Sequence, residues 1–422
     1  MQNRPNSAEV FFSFLKLGLV AFGGPAMVSY IRDLAVEKKK WLSGASFKDG
    51  VAICQSIPGA TAMQAAAYAG LRAAGGPGAV AAFLGFGLPA FVLMVVLSVL
   101  YGRAHDLVAV VAAFKGLQVI VIALVANATL NFGRTSLKKW QDFILALGAA
   151  VFLIMRGSPV VVILASVVFG LVIYPTAAES GHEGSGNVKK REKEILNNNN
   201  HTGGKVNTEV NKSDNGNSGA GNGYGTWRQN LATPFVLILL FVAVLSGLFV
   251  FDPKLFDLSL LMAKVDLFAF GGGYASVPLM LHEVVDARHW MNSSIFMDGI
   301  ALGQVTPGPI VITATFVGYL IAGLPGAIVG TLSIFTPSLV ILTAVVPYFD
   351  RVRKNVFFKK GLRGVLASFV GLLLAVTIQF SLAIHWHIYP VLIFLAAFLA
   401  LRLKVDILWV VIIGAALAAL IL

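Results

Sequence analysis

Apolar and polar positions alternate along this chain in blocks, not turn by turn. Apolar runs occupy residues 10–31, 47–74, 78–100, 106–132, 140–155 and 158–174. A polar stretch follows at 175–230. Apolar runs then resume at 231–251, 258–281, 296–322, 325–349, 356–380, 389–402 and 405–422. At 1.5 Å per helical residue, most can cross a hydrocarbon core of about 30 Å. The shorter ones read as tight hairpins or barely tilted helices. The pattern predicts an all-α polytopic membrane protein. The polar stretch contains Asn197, Asn198, Asn199 and Asn200 among many Gly, Ser and Lys residues. Such a segment cannot bury enough apolar surface to offset chain entropy, and it reads as a disordered linker.

Composition sharpens this reading. Of 422 residues, 57% are hydrophobic and 12% charged, against roughly 25% charged in soluble domains. That excludes an ordinary soluble enzyme, a disordered protein and a nucleic-acid-binding domain. The net charge of +12 sits largely in loops between apolar runs, where basic residues set membrane orientation. The single cysteine, Cys54, rules out a disulfide framework or a thiolate metal cluster. The first apolar run is too long for the core of a cleavable signal.

The chain repeats itself. Lys16, Ala21, Phe22, Gly23 and Gly24 recur 248 positions later as Lys264, Ala269, Phe270, Gly271 and Gly272. With one residue inserted, Trp41, Phe47, Asp49, Gly50, Gln55, Pro58 and Gly59 recur as Trp290, Phe296, Asp298, Gly299, Gln304, Pro307 and Gly308. Gly70, Pro77, Gly78 and Pro89 match Gly318, Pro325, Gly326 and Pro337, and Lys115-Gly116-Leu117 matches Lys360-Gly361-Leu362. Apolar bias alone does not place Lys, Trp, Asp, Gln and Pro in the same order twice. Two homologous six-segment halves follow, a common transporter design.

The run at 231–251 has no counterpart in the first half. If every run crosses once, the layout is 6+1+6 and the extra helix inverts the second half. With the N-terminus inside, the 28 Lys and Arg outside the membrane runs then split 20 inside to 8 outside. Making 47–74 and 296–322 re-entrant gives 5+1+5, parallel halves and a poorer split of 17 to 11. The positive-inside rule favours 6+1+6, although Lys38, Lys39 and Lys40 then fall outside. Whether the Pro-Gly runs cross or re-enter stays open.

The repeated residues carry the candidate chemistry. Lys16 and Lys264 lie within apolar runs, each seven residues before a glycine pair. A charged lysine deep in a bilayer costs about 2.5–3.5 kcal/mol, so each reads either as an anion attractor or as a side chain snorkelling to the interface. Gly23-Gly24-Pro25 and Gly271-Gly272-Gly273 predict broken helices, with close packing of small residues as the plainer alternative. Pro58-Gly59 and Pro307-Gly308 predict further breaks. A helix starting after such a break offers free N–H groups and its positive dipole end, which together hold anions. Gln55, Ser56, Thr61, Gln304, Thr306, Thr313 and Thr315 are candidates to complete an oxyanion cage. Their plainer alternative is bonding to their own helices. Asp49 and Asp298 read either as helix caps or, with the unrepeated Asp266, as proton carriers in coupling. No metal set, cofactor motif, nucleophile–base pair or phosphate-binding loop occurs, so neither an enzyme nor an ATP-driven pump is expected.

The doubled pattern from Lys16 through Phe22-Gly23-Gly24-Pro25, Trp41, Asp49 and Pro58-Gly59, and from Lys264 through Phe270-Gly271-Gly272-Gly273, Trp290, Asp298 and Pro307-Gly308-Pro309, resembles the chromate ion transporter family in its long, two-domain form. The resemblance covers both halves. It implies chromate efflux driven by an ion gradient, with sulfate as a look-alike substrate. Half one has Ala60 where half two has Pro309, which predicts unequal contributions. The expected organisation is a first repeat (1–174), a disordered linker (175–230), an extra connecting helix (231–251) and a second repeat (252–422). The expected partners are the oxyanion and the lipid bilayer, with a homodimer left open, and the expected location is the cytoplasmic membrane with N-terminus and linker inside.

Overall fold

The computed structural model describes residues 5–22, 26–104, 107–174 and 232–421. Gly23, Gly24 and the linker expected at 175–230 lie outside the described residues. Among the described residues every regular element is helical. In half one, α1 is Ser7–Gly18, α2 Ala26–Arg32 with a π-helical extension Asp33–Lys38, and α3 Gly44–Ser56. The long α4, Thr61–Ala104, is followed by α5 Val108–Ser136, α6 Trp140–Ile154 and α7 Pro159–Ile173. The extra helix α8 is Ala232–Phe251. Half two repeats the order: α9 Pro253–Phe268, α10 Ser276–Leu281 with π-helical His282–Ala287, α11 Ser293–Val305, α12 Thr313–Val345, a short α13 Phe349–Lys354, α14 Val356–Leu382, α15 Ile388–Arg402 and α16 Ile407–Ile421.

The six runs of each half are present, but the first two do not pass straight through. Each folds back at its break as a helical hairpin. Glu9 at the start of α1 pairs with Lys39 just past α2, 2.8 Å apart, and Lys264 of α9 pairs with Glu283 beyond α10. In the second hairpin Gly50 of α3 lies against the Tyr68 ring of α4, and the Tyr68 hydroxyl donates to Ser46 O at 3.1 Å. The equivalent Gly299 lies against Phe316. The runs 47–74 and 296–322 therefore fold as hairpins, the geometry that the re-entrant alternative expects, and 10–31 and 258–281 behave the same way. At the described tips the physical reason is the breaks at Pro58-Gly59, Gly271-Gly272 and Pro307-Gly308, whose positive-φ glycines reverse the chain instead of merely kinking it.

Helix α4 itself reverses at Ala74–Gly75, where Gly75 has φ +71°. Gly70 there meets the Gly78 carbonyl so closely that a Cβ would not fit. Gly318 and Gly326 of α12 repeat this contact around Gly323. Backbones approach this closely because small residues line the contact.

The halves are inverted. The equivalent long helices α5 and α14 touch through Thr129 and Thr377 (3.4 Å) and through Gly133 and Val370. Numbers rise along one as they fall along the other, so the two run antiparallel. Helix α8 gives the same answer. Its start lies against Gly76, at the base of a half-one hairpin. Three residues beyond its end, Lys254 Nζ donates to Ile321 O (2.8 Å) at the base of a half-two hairpin. Twenty residues of helix span about 30 Å, so the hairpins of the two halves enter from opposite sides.

Candidate functional site

The hairpins of the two halves meet at their tips. Gly59 N–H donates to Ala269 O at 3.0 Å, and Gly308 N–H donates to Ala21 O at 3.1 Å. The tip of the second hairpin in each half thus bonds the first hairpin of the other. Gly59 and Gly308 have φ of +115° and +120°, a region that side-chain-bearing residues rarely enter. Ser338 and Gln64 pack onto Gly59, and Ala90 onto Gly308.

The second hairpin of half one contributes the N-terminus of α4 to this meeting point. The first-turn N–H groups of α4, from Thr61 to Met63, have no acceptor within their own helix. The Thr61 hydroxyl has no hydrogen-bond partner among the described residues and faces Gly272, whose added Cβ would stand 3.2 Å away. Gly273 packs against Ile310, just after the half-two break. Free N–H donors, positive dipole ends and a hydroxyl together form a setting for an anion without a dense cluster of cations.

Other sequence candidates are spent locally. Ser56 Oγ donates to Ala52 O (2.7 Å), Thr306 to Gly303 O (2.9 Å) and Thr313 to Ile310 O (2.8 Å). Thr315 pairs with Thr331 at 2.6 Å. Gln304 reaches the Tyr274 hydroxyl at 3.5 Å, and Gln55 is exposed. Pro58 O accepts from Gln64 Nε2, while Gly271 and Gly272 hold positive φ at their tip. Asp49 and Asp298 do not cap helices. Ser43 and Asn292 do so instead, and both aspartates sit within α3 and α11. A sidechain cap must precede the first turn, and these two fall after it.

The two lysines differ. Lys264 Nζ sits 2.5 Å from Glu283, a buried carboxylate that Arg288 also contacts. The half-one residue in Glu283's register is Leu34, and Lys16 has no ion-pair partner among the described residues. Lys16 lies in an open groove between α1 and α2, of about 490 Å³, with Lys38, Lys39, Glu9 and Asp33.

The three carboxylates differ as well. Asp266 is buried. One oxygen accepts the Ser338 N–H at 2.6 Å, and the other has no partner. Pro337 explains the available N–H, because a proline inside a helix disrupts the bonding around it. In half one Gly18 stands in place of Asp266, and even a Cβ there would strike Phe86 O. Asp298 is buried and held by Tyr101 (2.9 Å) and Gln118 (2.8 Å). Asp49 is exposed. Sequence reasoning missed Gln64, Ser338, Glu283, Tyr101 and Gln118. Gln118 stands directly after the Lys115-Gly116-Leu117 match, where half two has Arg363, so no repeated residue marked it.

The fold, with inverted halves of broken helices meeting at their tips, is that of a multi-pass membrane transporter. The chromate transporter family model matches residues 8–171 and 256–420, and the chain belongs to that family. An uncharacterized transporter of Methanocaldococcus jannaschii is 43% identical over 100% of this chain and 96% of its own length. A chromate transport protein of Pseudomonas aeruginosa is 30% identical, covering 88% of this chain and 80% of its own. One from Cupriavidus metallidurans is 29% identical, covering 86% and 80%. No solved structure matches. These relatives are named as transporters, not enzymes.

Proposed function

We propose that this protein is a secondary active transporter of a tetrahedral oxyanion, chromate above all, which it expels across the cytoplasmic membrane by alternating access. The observation that carries the reading is the reciprocal bonding of the tips, Gly59 to Ala269 and Gly308 to Ala21. It supports a central site that either side can reach when one set of hairpins moves. The names of the Pseudomonas and Cupriavidus relatives bring chromate to the reading. Chromate and sulfate are both tetrahedral dianions, and helix N-termini with one hydroxyl suit either.

Within this reading, the tip residues from Pro58 to Thr61, Gly271, Gly272, Pro307 and Gly308 surround the anion, and Lys16 draws it in. Asp266, buried with one oxygen free, carries the proton that couples transport to the gradient. The repeats are 1–174 and 252–422, joined by the linker and the connecting helix.

Charge supports the orientation. With hairpins that return to their own side, Lys38, Lys39, Lys40, Lys48, Arg72, Arg134, Lys138, Lys139, Arg351, Arg353, Lys359, Arg402 and Lys404 share one side. Arg103, Lys115, Arg156, Lys254 and Arg288 lie toward the other. The rule that basic loops stay inside assigns the first group to the cytoplasm, and Lys38–Lys40 no longer contradict it.

A ligand that binds the folded state stabilises it, by about 2.7 kcal/mol at a hundredfold excess over Kd. Chromate titrated into the purified protein is expected to raise the unfolding temperature in a saturable way, with sulfate competing and chloride inert. The Thr61→Val variant should weaken the shift. Absence of any shift with either dianion would count against an oxyanion site.

A further inference from the structure

The two halves are equivalent in sequence but not in conformation, and the difference points to a contact that this conformation does not make. In half two, α11 is docked. Every residue from Phe296 to Gly303 is buried, α11 packs on α5 and α16, and Asp298 is held by Gln118 of α5. Gln118 also reaches Ser294 O at 3.5 Å. In half one, α3 is not docked in this way. Of its residues only Phe47, Gly50, Ile53 and Cys54 are buried, while Lys48, Asp49 and Gln55 are exposed. Asp49 has no hydrogen bond or ion pair among the described residues.

The repeat identifies the partner that Asp49 lacks. Asp49 matches Asp298, with Phe47, Gly50 and Gln55 matching at the same spacing. Gln118 closes the sequence Lys115-Gly116-Leu117-Gln118, whose equivalent is Lys360-Gly361-Leu362-Arg363. The counterpart of the Asp298–Gln118 bond is therefore Asp49–Arg363. Here Arg363 is engaged elsewhere. Its guanidinium holds the buried Asp142 through two bonds (2.7 and 3.2 Å) and stacks 4.2 Å over the Tyr174 ring. Its side chain is still 32% exposed, so donors remain for a second carboxylate.

We propose that Asp49 and Arg363 are the positioning pair that closes the half-one side in the protein's second conformation, when the two halves exchange the shapes seen here. The inference rests on the alternating-access reading above. In that second state α3 docks on α14 as α11 docks on α5 here, and the Asp298 bonds to Gln118 and Tyr101 open. The structure described is then the state closed by α11 and open on the side of α3, the side that carries Lys38–Lys40. An aspartate facing an arginine where the other half uses glutamine gives the two closures different strengths, which favours one resting state over the other.

The test uses the full chain in proteoliposomes. Asp49→Ala should leave the unfolding temperature unchanged, because Asp49 is exposed and makes no hydrogen bond or ion pair among the described residues, yet slow anion flux at least tenfold. Asp49→Glu should recover part of it. In a Cys54→Ser background, Asp49→Cys with Lys359→Cys, one helical turn before Arg363, should form a disulfide under mild oxidation. The crosslink should form faster with anion present, block flux and release it on reduction. Wild-type flux in Asp49→Ala, a loss of its stability, or no crosslink in a protein that still transports would each overturn the pairing. If the unmodified protein moved neither chromate nor sulfate while the crosslink formed, the substrate reading would fail and the pairing would stand.

Discussion

Replacing Gly59 by alanine tests the central meeting of the hairpins. Gly59 has φ +115°, and holding a residue with a side chain in such a region costs about 1–3 kcal/mol. The new methyl would also stand 2.3 Å from Ser338 Cβ and 2.8 Å from Gln64 Nε2, and overpacking of this kind costs about 1–3 kcal/mol more. The sum is roughly 2–6 kcal/mol. Gly75→Ala is the control, since Gly75 also has positive φ but nothing within 4 Å of an added Cβ; it should show the torsional part alone. Adding Ser338→Gly to Gly59→Ala removes one clashing carbon while keeping the Ser338 N–H for Asp266. The double variant should therefore recover part of the crowding cost and none of the torsional cost. Unfolding of the purified protein in detergent, with flux measured in parallel, reads all three. If Gly59→Ala were as stable and active as the unmodified protein, the tips could not meet as described.

Other expectations follow from the asymmetry of the halves. Lys16→Ala should lower anion flux at least tenfold with little change in stability, because Lys16 has no ion-pair partner among the described residues. Lys264→Ala should lower stability as well, though by less than stranding an unpaired buried charge would, because Glu283 keeps Arg288 and Lys264 is itself 40% exposed; parallel unfolding and flux curves separate the two. Asp266→Asn keeps an acceptor for the Ser338 N–H, so the protein should remain folded while its flux stops responding to an imposed proton gradient. Deleting 183–225 should leave transport intact, measured by the same flux assay.

Much of this arrangement was readable from the residues, and the failures have physical causes. The repeat was legible because Lys, Trp, Asp, Gln and Pro recur at fixed spacing. The breaks were legible because Pro58-Gly59 and Pro307-Gly308 cannot continue a helix. The direction of the chain after each break was not. A run such as 47–74 has the same apolar length whether it crosses once or folds into two short arms, and the contact that distinguishes them, Gly50 on Tyr68, is tertiary. Lys38, Lys39 and Lys40 were the one sequence signal against a straight crossing. The inverted relation survives the change, because two hairpins per half alter the number of crossings in each half by an even amount. At the site, Gln64 was lost in an alanine-rich run, and Glu283 lies 19 residues from Lys264. The equivalence of the two lysines was true of the sequence and false of their surroundings.

The central claim is most directly tested by chromate flux into and out of proteoliposomes holding the purified full-length protein, with sulfate as competitor and an imposed proton gradient. The account predicts gradient-dependent chromate movement that sulfate inhibits and that Lys16→Ala and Gly59→Ala abolish. Absence of chromate and sulfate flux from folded protein, or flux indifferent to those two substitutions, would contradict it.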